Sequence, residues 1–277
     1  MRRRLGKVPL MSSPYWRGRA LASLIVLVAA CGSAGAQAPG STEANRRDTI
    51  EELIAANHVL AKLKVVDAFG HITMRHPTNP QRYLMARSIA PALVTEQDII
   101  EFDLDSNPID ARGRAPSIER FIHGEIYKSR PDVNAIVHSH SPTIIPFSVS
   151  KTPLRPISHV GAFLSPAVPV YDPRATVGPS NLLISTREIG KALAETLGQN
   201  TVALIRGHGN AVVAANVGLA TYRAFHAELS AQLLLQARLL DGPITFLEPD
   251  EAAKANSLRN TGYIRQWELW KRELAGK

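Results

Sequence analysis

The sequence contains a single cysteine, few aromatic residues and no apolar run long enough to cross a membrane. With Cys31 alone among 277 residues, neither an intramolecular disulfide nor a cysteine-rich zinc site can form. Aromatic residues make up 6% of the chain and the basic residues are scattered, so nothing indicates a nucleic-acid-binding surface. The apolar run at residues 20–30 would rise only about 16 Å as a helix, against about 30 Å for a bilayer core.

Acidic residues are missing from the start of the chain, and this absence explains most of the net charge of +8. No acidic residue precedes Glu43, and removal of residues 1–36 with their six basic side chains lowers the formal charge to +2. The cationic start, the short apolar run and Ala34-Gly35-Ala36 predict a signal peptide over 1–36. The alternative is a lipoprotein signal over 1–30 with a lipidated Cys31. Either interpretation predicts an exported protein, in the periplasm or on the periplasmic face of a membrane.

The remaining sequence predicts one α/β domain with 45% hydrophobic residues in the whole chain to supply its core. Residues 37–47 are polar and are expected to form a linker, residues 48–241 the domain, and residues 242–277 a helical tail. Apolar periodicity predicts helices at 49–65, from 117 to before Pro131, at 186–197 and at 219–240. Alternating or continuous apolar stretches predict strands at 69–75, 83–86, 99–104, 134–140, 202–206 and 211–214. The proline-rich residues 142–172 are expected to be short extended pieces.

Several common catalytic motifs are absent. The chain has no G-x-S-x-G, P-loop, G-x-G-x-x-G or H-E-x-x-H sequence. His123-Gly124-Glu125 matches a fragment of the zinc deaminase motif, but those enzymes also need C-x-x-C.

Three histidines form the strongest candidate for a metal site. His138 and His140 are two residues apart on a predicted strand, so both imidazoles point to the same face. His208 lies between two glycines, which allow a sharp turn and a close approach to another strand. Three imidazoles with an open position are typical of a catalytic metal site. The alternative is a set of histidines with ordinary hydrogen bonds.

Glu119 is a candidate acid/base because His123 follows it by four residues on the same helix face. The two side chains are therefore expected to face one cavity, and a carboxylate near a metal can transfer protons. The alternative is a carboxylate that only stabilises the start of its helix.

These residues, in this order, resemble the class II aldolase/adducin family over roughly residues 48–241. The matching segments are Phe69-Gly70-His71-Ile72-Thr73, Pro116-Ser117-Ile118-Glu119-Arg120 with His123, residues 129–140 (SRPDVNAIVHSH), His159 and Arg206-Gly207-His208-Gly209. The resemblance implies an α/β fold with a central, mostly antiparallel sheet covered by helices on both faces. It also implies tetramers with sites at subunit interfaces, a divalent metal on His138, His140 and His208, and Glu119 as the catalytic acid/base.

The chain departs from the sugar-phosphate aldolases of this family at the positions that bind phosphate. His71 stands where they usually have asparagine, and Arg87 and Ser88 replace their phosphate loop. The segments around Glu119 and after His138 look more like the branch with aromatic hydroxy-acid decarboxylases. Arginine presents a planar fork that suits a carboxylate, so Arg87 is expected to bind substrate. Ser88, His71, His123 and His159 are the other candidate substrate-binding residues.

Together these observations predict a divalent-metal-dependent carbon–carbon lyase, of aldolase or decarboxylase type, acting on a small hydroxylated carbonyl or carboxylate compound. Zinc is the first candidate metal, with manganese, cobalt and iron as alternatives, because imidazole ligands suit these ions better than calcium. The expected partners are a small-molecule substrate and other copies of the chain in a homotetramer, with no nucleic acid and no membrane contact beyond a lipid anchor. A non-catalytic adducin-like binding protein and an iron-dependent oxygenase on the same fold are the alternatives.

Overall fold

The computed structural model describes residues 39–276, and within them seven strands form one sheet. The strands are β1 (His71–Arg75), β2 (Arg82–Ala86), β3 (Ile99–Asp103), β4 (Ala135–Ser139), β5 (Val170–Tyr171), β6 (Val202–Ile205) and β7 (Gly209–Ala214). Their order across the sheet is β3-β2-β1-β4-β7-β6-β5. Every neighbouring pair is antiparallel except β5 with β6, so the expected mostly antiparallel sheet is confirmed.

Helices cover both faces of this sheet, as predicted. They are α1 (Pro39–Lys62), α2 (Arg120–Ser129), α3 (Ile145–Val149), α4 (Arg174–Val177), α5 (Arg187–Leu197), α6 (Val217–Ala237) and α7 (Pro249–Leu274). Short 3-10 helices occupy Pro91–Leu93, Glu96–Asp98 and His159–Leu164. Because successive strand residues point to opposite faces, the sheet carries two apolar surfaces. One packs on α2 and α5, and the other on α1, α6 and α7.

The two faces differ in what they do for the site. The face under α2 and α5 has Ile136 of β4 and Val213 of β7 in its core, and His138 belongs to this face because it lies two residues after Ile136. The opposite face has Val137 and Val212 in its core. His138 is therefore buried at the end of an apolar strand, beneath the helix that begins after Glu119.

The start of α2 differs from the sequence prediction. The sequence predicts a helix that begins near Ser117 with this serine as its N-cap, but the helix begins at Arg120 and Glu119 occupies the N-cap position. Ser117 instead accepts a hydrogen bond of 3.3 Å from the Glu119 backbone N–H. The Glu119 side chain makes no cap hydrogen bond, because it is directed to the histidines described below.

The two terminal segments compare differently with their predicted form. The helix α1 already begins at Pro39, so most of the expected linker at 37–47 is helical, since this polar stretch contains no helix-breaking residue after Gly40. The expected C-terminal helix is present as α7, and it packs on α6 through the buried Trp267 and Trp270.

In the proline-rich region, α3 forms where an extended piece was expected. Pro146 lies in its first turn, a position where proline fits a helix.

The segment that carries the export prediction lies outside the described residues. None of the helices among residues 39–276 is both long and apolar enough to cross a bilayer.

Candidate metal centre

Four side chains converge at one end of the sheet and are called here the Glu–His cluster: Glu119, His138, His140 and His208. One potential ligand atom from each lies within 4.8 Å of the others. The residues come from the end of β4, the turn between β6 and β7, and the start of α2. The structure thus brings together the three histidines and the carboxylate that the sequence indicated.

Glycines at the β6–β7 turn allow His208 to reach the end of β4. Gly207 has a φ of 64°, which a residue with a side chain rarely adopts. A Cβ on Gly209 would overlap the backbone carbonyl of Ser139, so only glycine fits where β7 starts beside β4. The His208 and His140 Nε2 atoms end up 3.0 Å apart, and the His140 and His138 Nε2 atoms are also 3.0 Å apart.

Backbone carbonyls determine which nitrogens face the centre. The Nδ1 of His138 lies 2.9 Å from the Asn210 carbonyl, and the Nδ1 of His208 lies 3.0 Å from the Leu182 carbonyl. A carbonyl only accepts, so both Nδ1 atoms carry the proton and both Nε2 atoms present lone pairs to the centre. Leu182 has a φ of 68°, unusual for leucine, and this backbone strain lies at the residue that orients His208.

Glu119 completes the cluster and is only 5% exposed. Its Oε2 lies 3.5 Å from His138 Nε2, and its Oε1 lies 3.5 Å from His208 Nε2. The backbone N–H of Ile184 donates to Oε1 at 3.0 Å and fixes the carboxylate. Burial acts to raise the pKa of Glu119, whereas positive charge on His138 and His208, when these imidazoles are protonated, lowers it well below its usual range.

The donor set fits a divalent transition metal. Three imidazole nitrogens and a carboxylate oxygen at these separations would repel one another unless positive charge lies between them. Imidazole with one carboxylate suits zinc, iron, cobalt or manganese, whereas calcium prefers oxygen ligands. The hydrogen bonds from Nδ1 to backbone carbonyls are the outer-shell contacts that metal-ligating histidines usually make.

A chain of hydrogen-bonding side chains leads away from the cluster through His71. The His71 ring lies 5.1 Å from the His138 ring, and its Nδ1 lies 2.7 Å from Nε2 of His123. The Nδ1 of His123 lies 2.8 Å from the Thr73 hydroxyl, which lies 2.9 Å from the Tyr127 hydroxyl. Burial, with the neighbouring imidazoles adding to it, lowers the pKa of His71 to about 3 and lowers that of His123 as well. Both rings are therefore neutral at pH 7.

The predicted substrate residues differ in where they lie. His71 is partly exposed beside the cluster, but His123 is fully buried behind it and can act only through His71. Arg87 follows β2, two residues beyond Met85, whose partner on β1 is Thr73. Its Nε lies 2.6 Å from Oδ1 of Asp98, so part of its guanidinium already pairs with a carboxylate of this chain.

Two further predicted residues are exposed. Ser88 donates its backbone N–H to the Ala115 carbonyl, and its side chain is at the surface. His159 begins a 3-10 helix that packs near α6 and α7, and its side chain is also exposed. A separate cavity between α1 and α7, lined among others by Trp267 and Lys271, lies at the other end of the sheet and contains none of the predicted residues.

Residues that support the cluster were not found from the sequence. Asn210 and Leu182 act through backbone carbonyls, which any residue carries, so no side-chain pattern could indicate them. Thr73 and Tyr127 are separated by 54 positions and meet only through the packing of α2 on β1. The Phe69 ring is 68% exposed and lies 6.3 Å from the His140 ring. Phe69 belongs to a segment that carries the family resemblance, but the sequence indicates no role for its side chain.

The mostly antiparallel sheet and the Glu–His cluster at its end together define a class II aldolase-type protein. The chain belongs to this family: residues 51–235 match the model for the class II aldolase and adducin N-terminal domain. The family resemblance and the fold expected from the sequence are therefore confirmed.

Relatives within the family include both decarboxylases and aldolases. The chain is 32% identical to the decarboxylase tropJ of Talaromyces stipitatus, covering 81% of this chain and 93% of that protein. It is 30% identical to the 3,4-dihydroxyphthalate decarboxylase of Arthrobacter keyseri, covering 81% and 92%. The solved L-fuculose 1-phosphate aldolase of Glaciozyma antarctica superposes with a TM-score of 0.69 at 25% identity, covering 83% and 89%. All three names describe carbon–carbon lyases.

Proposed function

We propose that this protein is a divalent-metal-dependent carbon–carbon lyase that decarboxylates a small hydroxylated aromatic acid. The observation that carries the proposal is the convergence of the Nε2 atoms of His138, His140 and His208 beside the Glu119 carboxylate at the end of the sheet. Zinc is the first candidate for the metal, with manganese, cobalt and iron as alternatives. A binding protein without catalysis has no need for a buried carboxylate among three imidazoles.

Three observations favour an aromatic acid over a sugar phosphate. The two decarboxylase relatives match 81% of the chain at 30% identity or more, and the name of one gives an aromatic dicarboxylic acid as its substrate. The exposed Phe69 ring beside His140 offers an apolar surface for a planar ring. Arg87, which follows β2 beside β1, supplies a planar guanidinium that suits a carboxylate.

The chemistry divides between the metal and the chain. The metal, when bound, would supply Lewis acidity toward the oxygens of the substrate. The Glu119 carboxylate, which lies beside the Nε2 atoms of His138 and His208, takes the proton of a substrate hydroxyl. The bond to the carboxylate then breaks, its electron pair stays on the ring carbon, and carbon dioxide leaves. Glu119 returns the proton to that carbon, and the hydroxyl recovers its own proton from water.

The substrate test compares 3,4-dihydroxyphthalate with L-fuculose 1-phosphate, each offered to protein loaded with zinc, manganese, cobalt or iron. We expect release of carbon dioxide from the aromatic acid and no cleavage of the sugar phosphate. Glu119→Gln should lower turnover by about 10²- to 10⁴-fold, the usual contribution of acid/base catalysis. Glu125→Gln is the matched control, because Glu125 is also buried on α2 but pairs with Lys128 outside the cluster. Cleavage of the sugar phosphate without release of carbon dioxide from the aromatic acid would show that the protein is an aldolase instead.

Export and assembly are further parts of the proposal. The sequence favours a periplasmic or membrane-attached protein, and the family resemblance favours a homotetramer. Intact-mass analysis of protein from its native host should find a chain that starts near Gln37 or at a lipidated Cys31. Sedimentation analysis should give four copies per particle. Full-length protein starting at Met1 in the cytoplasm would contradict export, and a monomer would contradict the assembly.

A further inference from the structure

The hydrogen-bonded series Tyr127–Thr73–His123–His71 has a definite direction, which follows from counting its protons. The Tyr127 hydroxyl has Thr73 as its one hydrogen-bond partner among residues 39–276. The Thr73 hydroxyl contacts Tyr127 and His123, and no third partner among those residues. Tyr127 is 1% exposed and Thr73 is 0% exposed, so an unpaired proton on either would be buried without a partner.

Only one arrangement pairs every proton. Tyr127 donates to Thr73, and Thr73 donates to Nδ1 of His123. The proton of His123 is then on Nε2 and is donated to Nδ1 of His71, across the 2.7 Å contact. The reverse order would have Thr73 donate to Tyr127 and leave the phenol proton unpaired. If Thr73 instead accepted from both neighbours, its own proton would be unpaired.

The consequence lies at His71, whose Nδ1 is occupied as an acceptor. Its proton is therefore on Nε2, the nitrogen that remains for other partners. A neutral imidazole binds a metal through a lone pair, and this arrangement gives His71 an N–H there instead. His71 otherwise has what a fourth imidazole ligand needs, because its ring is only 5.1 Å from that of His138 and it is partly exposed.

We propose that Thr73 is a positioning residue that fixes this proton order, so that His71 donates its Nε2 hydrogen to a substrate oxygen and does not bind the metal. The part that concerns substrate rests on the proposed function, whereas the proton order does not. His71 would share the recognition of an anionic oxygen with Arg87, which follows the neighbouring strand β2.

The tautomer is measured on the full chain, zinc-loaded and labelled with ¹⁵N-histidine, by long-range ¹H–¹⁵N correlation, with His71→Gln assigning the signal. We expect His71 to be protonated on Nε2 in the wild type, in Thr73→Ser and in Tyr127→Phe, since each keeps a hydroxyl that can donate to His123. Thr73→Val should mix the two tautomers. Thr221→Val is the matched control, because Thr221 is equally buried but bonds the Val217 carbonyl within α6.

Binding of 3,4-dihydroxybenzoate to the zinc form tests the role toward substrate. We expect His71→Leu to weaken binding roughly 10- to 100-fold through loss of a hydrogen bond to an anion, and His71→Gln, which keeps an N–H, to recover part of it. A proton on Nδ1 of His71 in the wild type, zinc on its Nε2, or an unchanged tautomer in Thr73→Val would overturn the proton order. Equal binding by His71→Leu and wild type would overturn the substrate contact. If the tautomer and the binding are as expected but no substrate is decarboxylated, only the proposed function would be overturned.

Discussion

Removal of one imidazole from the Glu–His cluster should abolish metal binding while the protein stays folded. His208→Ala is the sharpest change, because His208 reaches the cluster from a turn and belongs to no apolar core cluster. It leaves two imidazoles and Glu119, and it frees the Leu182 carbonyl from its hydrogen bond. The lost hydrogen bond should cost about 0.5–1.5 kcal/mol in the free energy of unfolding of the metal-free protein.

The magnitude of the metal effect follows from mass action. At a free metal concentration about 100 times the dissociation constant, binding adds about 2.7 kcal/mol to the free energy of unfolding. For a domain of this size, that corresponds to an increase of about 5–11 °C in Tm. His208→Ala should lose nearly all of this increase at the same metal concentration.

The assay is thermal unfolding with and without zinc, together with metal content measured by mass spectrometry. The wild type should contain about one metal ion per chain. His58→Ala is the control, since the Nε2 of His58 bonds the Val94 carbonyl at 2.9 Å, away from the cluster, and it should keep the full shift. The metal centre would be wrongly placed if His208→Ala kept the metal content and Tm shift of the wild type.

Three further predictions concern the surroundings of the cluster. Burial, with the adjacent imidazoles adding to it, lowers the pKa of His140 from 6.5 to about 4. Between these two pH values, His140 is therefore protonated in the unfolded chain but not in the folded protein. The free energy of unfolding of the metal-free protein, measured in urea, should therefore fall from pH 6.5 to pH 4, by on the order of 3 kcal/mol from this group, and a flat profile would contradict the reasoning. Gly209→Ala should cost about 1–3 kcal/mol and weaken zinc binding, because the added Cβ pushes β7 away from the Ser139 carbonyl; unchanged zinc affinity would show that the close approach is not required. Arg87→Lys should raise KM for an aromatic acid by roughly 10- to 100-fold with a smaller effect on kcat, since an ammonium cannot pair with Asp98 and hold a substrate carboxylate through one planar fork, and wild-type kinetics would remove Arg87 from substrate binding.

The sequence determined those features that depend on local periodicity. Two histidines two residues apart on a strand must share a face, so His138 and His140 could be paired without a structure. The glycines around His208 indicated a sharp turn, and the helix predicted at 186–197 is observed at 187–197, directly before Gly198. Local patterns of this kind indicated most of the strands and helices and the three candidate histidines, because each pattern depends on neighbouring residues alone.

The tertiary structure decided what depends on distant parts of the chain. The Glu119 side chain faces three histidines instead of capping its helix, because α2 packs over the end of β4. Arg87 forms an ion pair with Asp98 because β2 and β3 pair. The sequence indicated that Arg87 binds a carboxylate, but it could not show that this carboxylate belongs to Asp98. The carbonyls that orient the imidazoles, and the order of protons that ends at His71, arise from contacts across 26 to 72 positions. Such contacts follow from how strands and helices pack, and no single segment of the sequence contains that information.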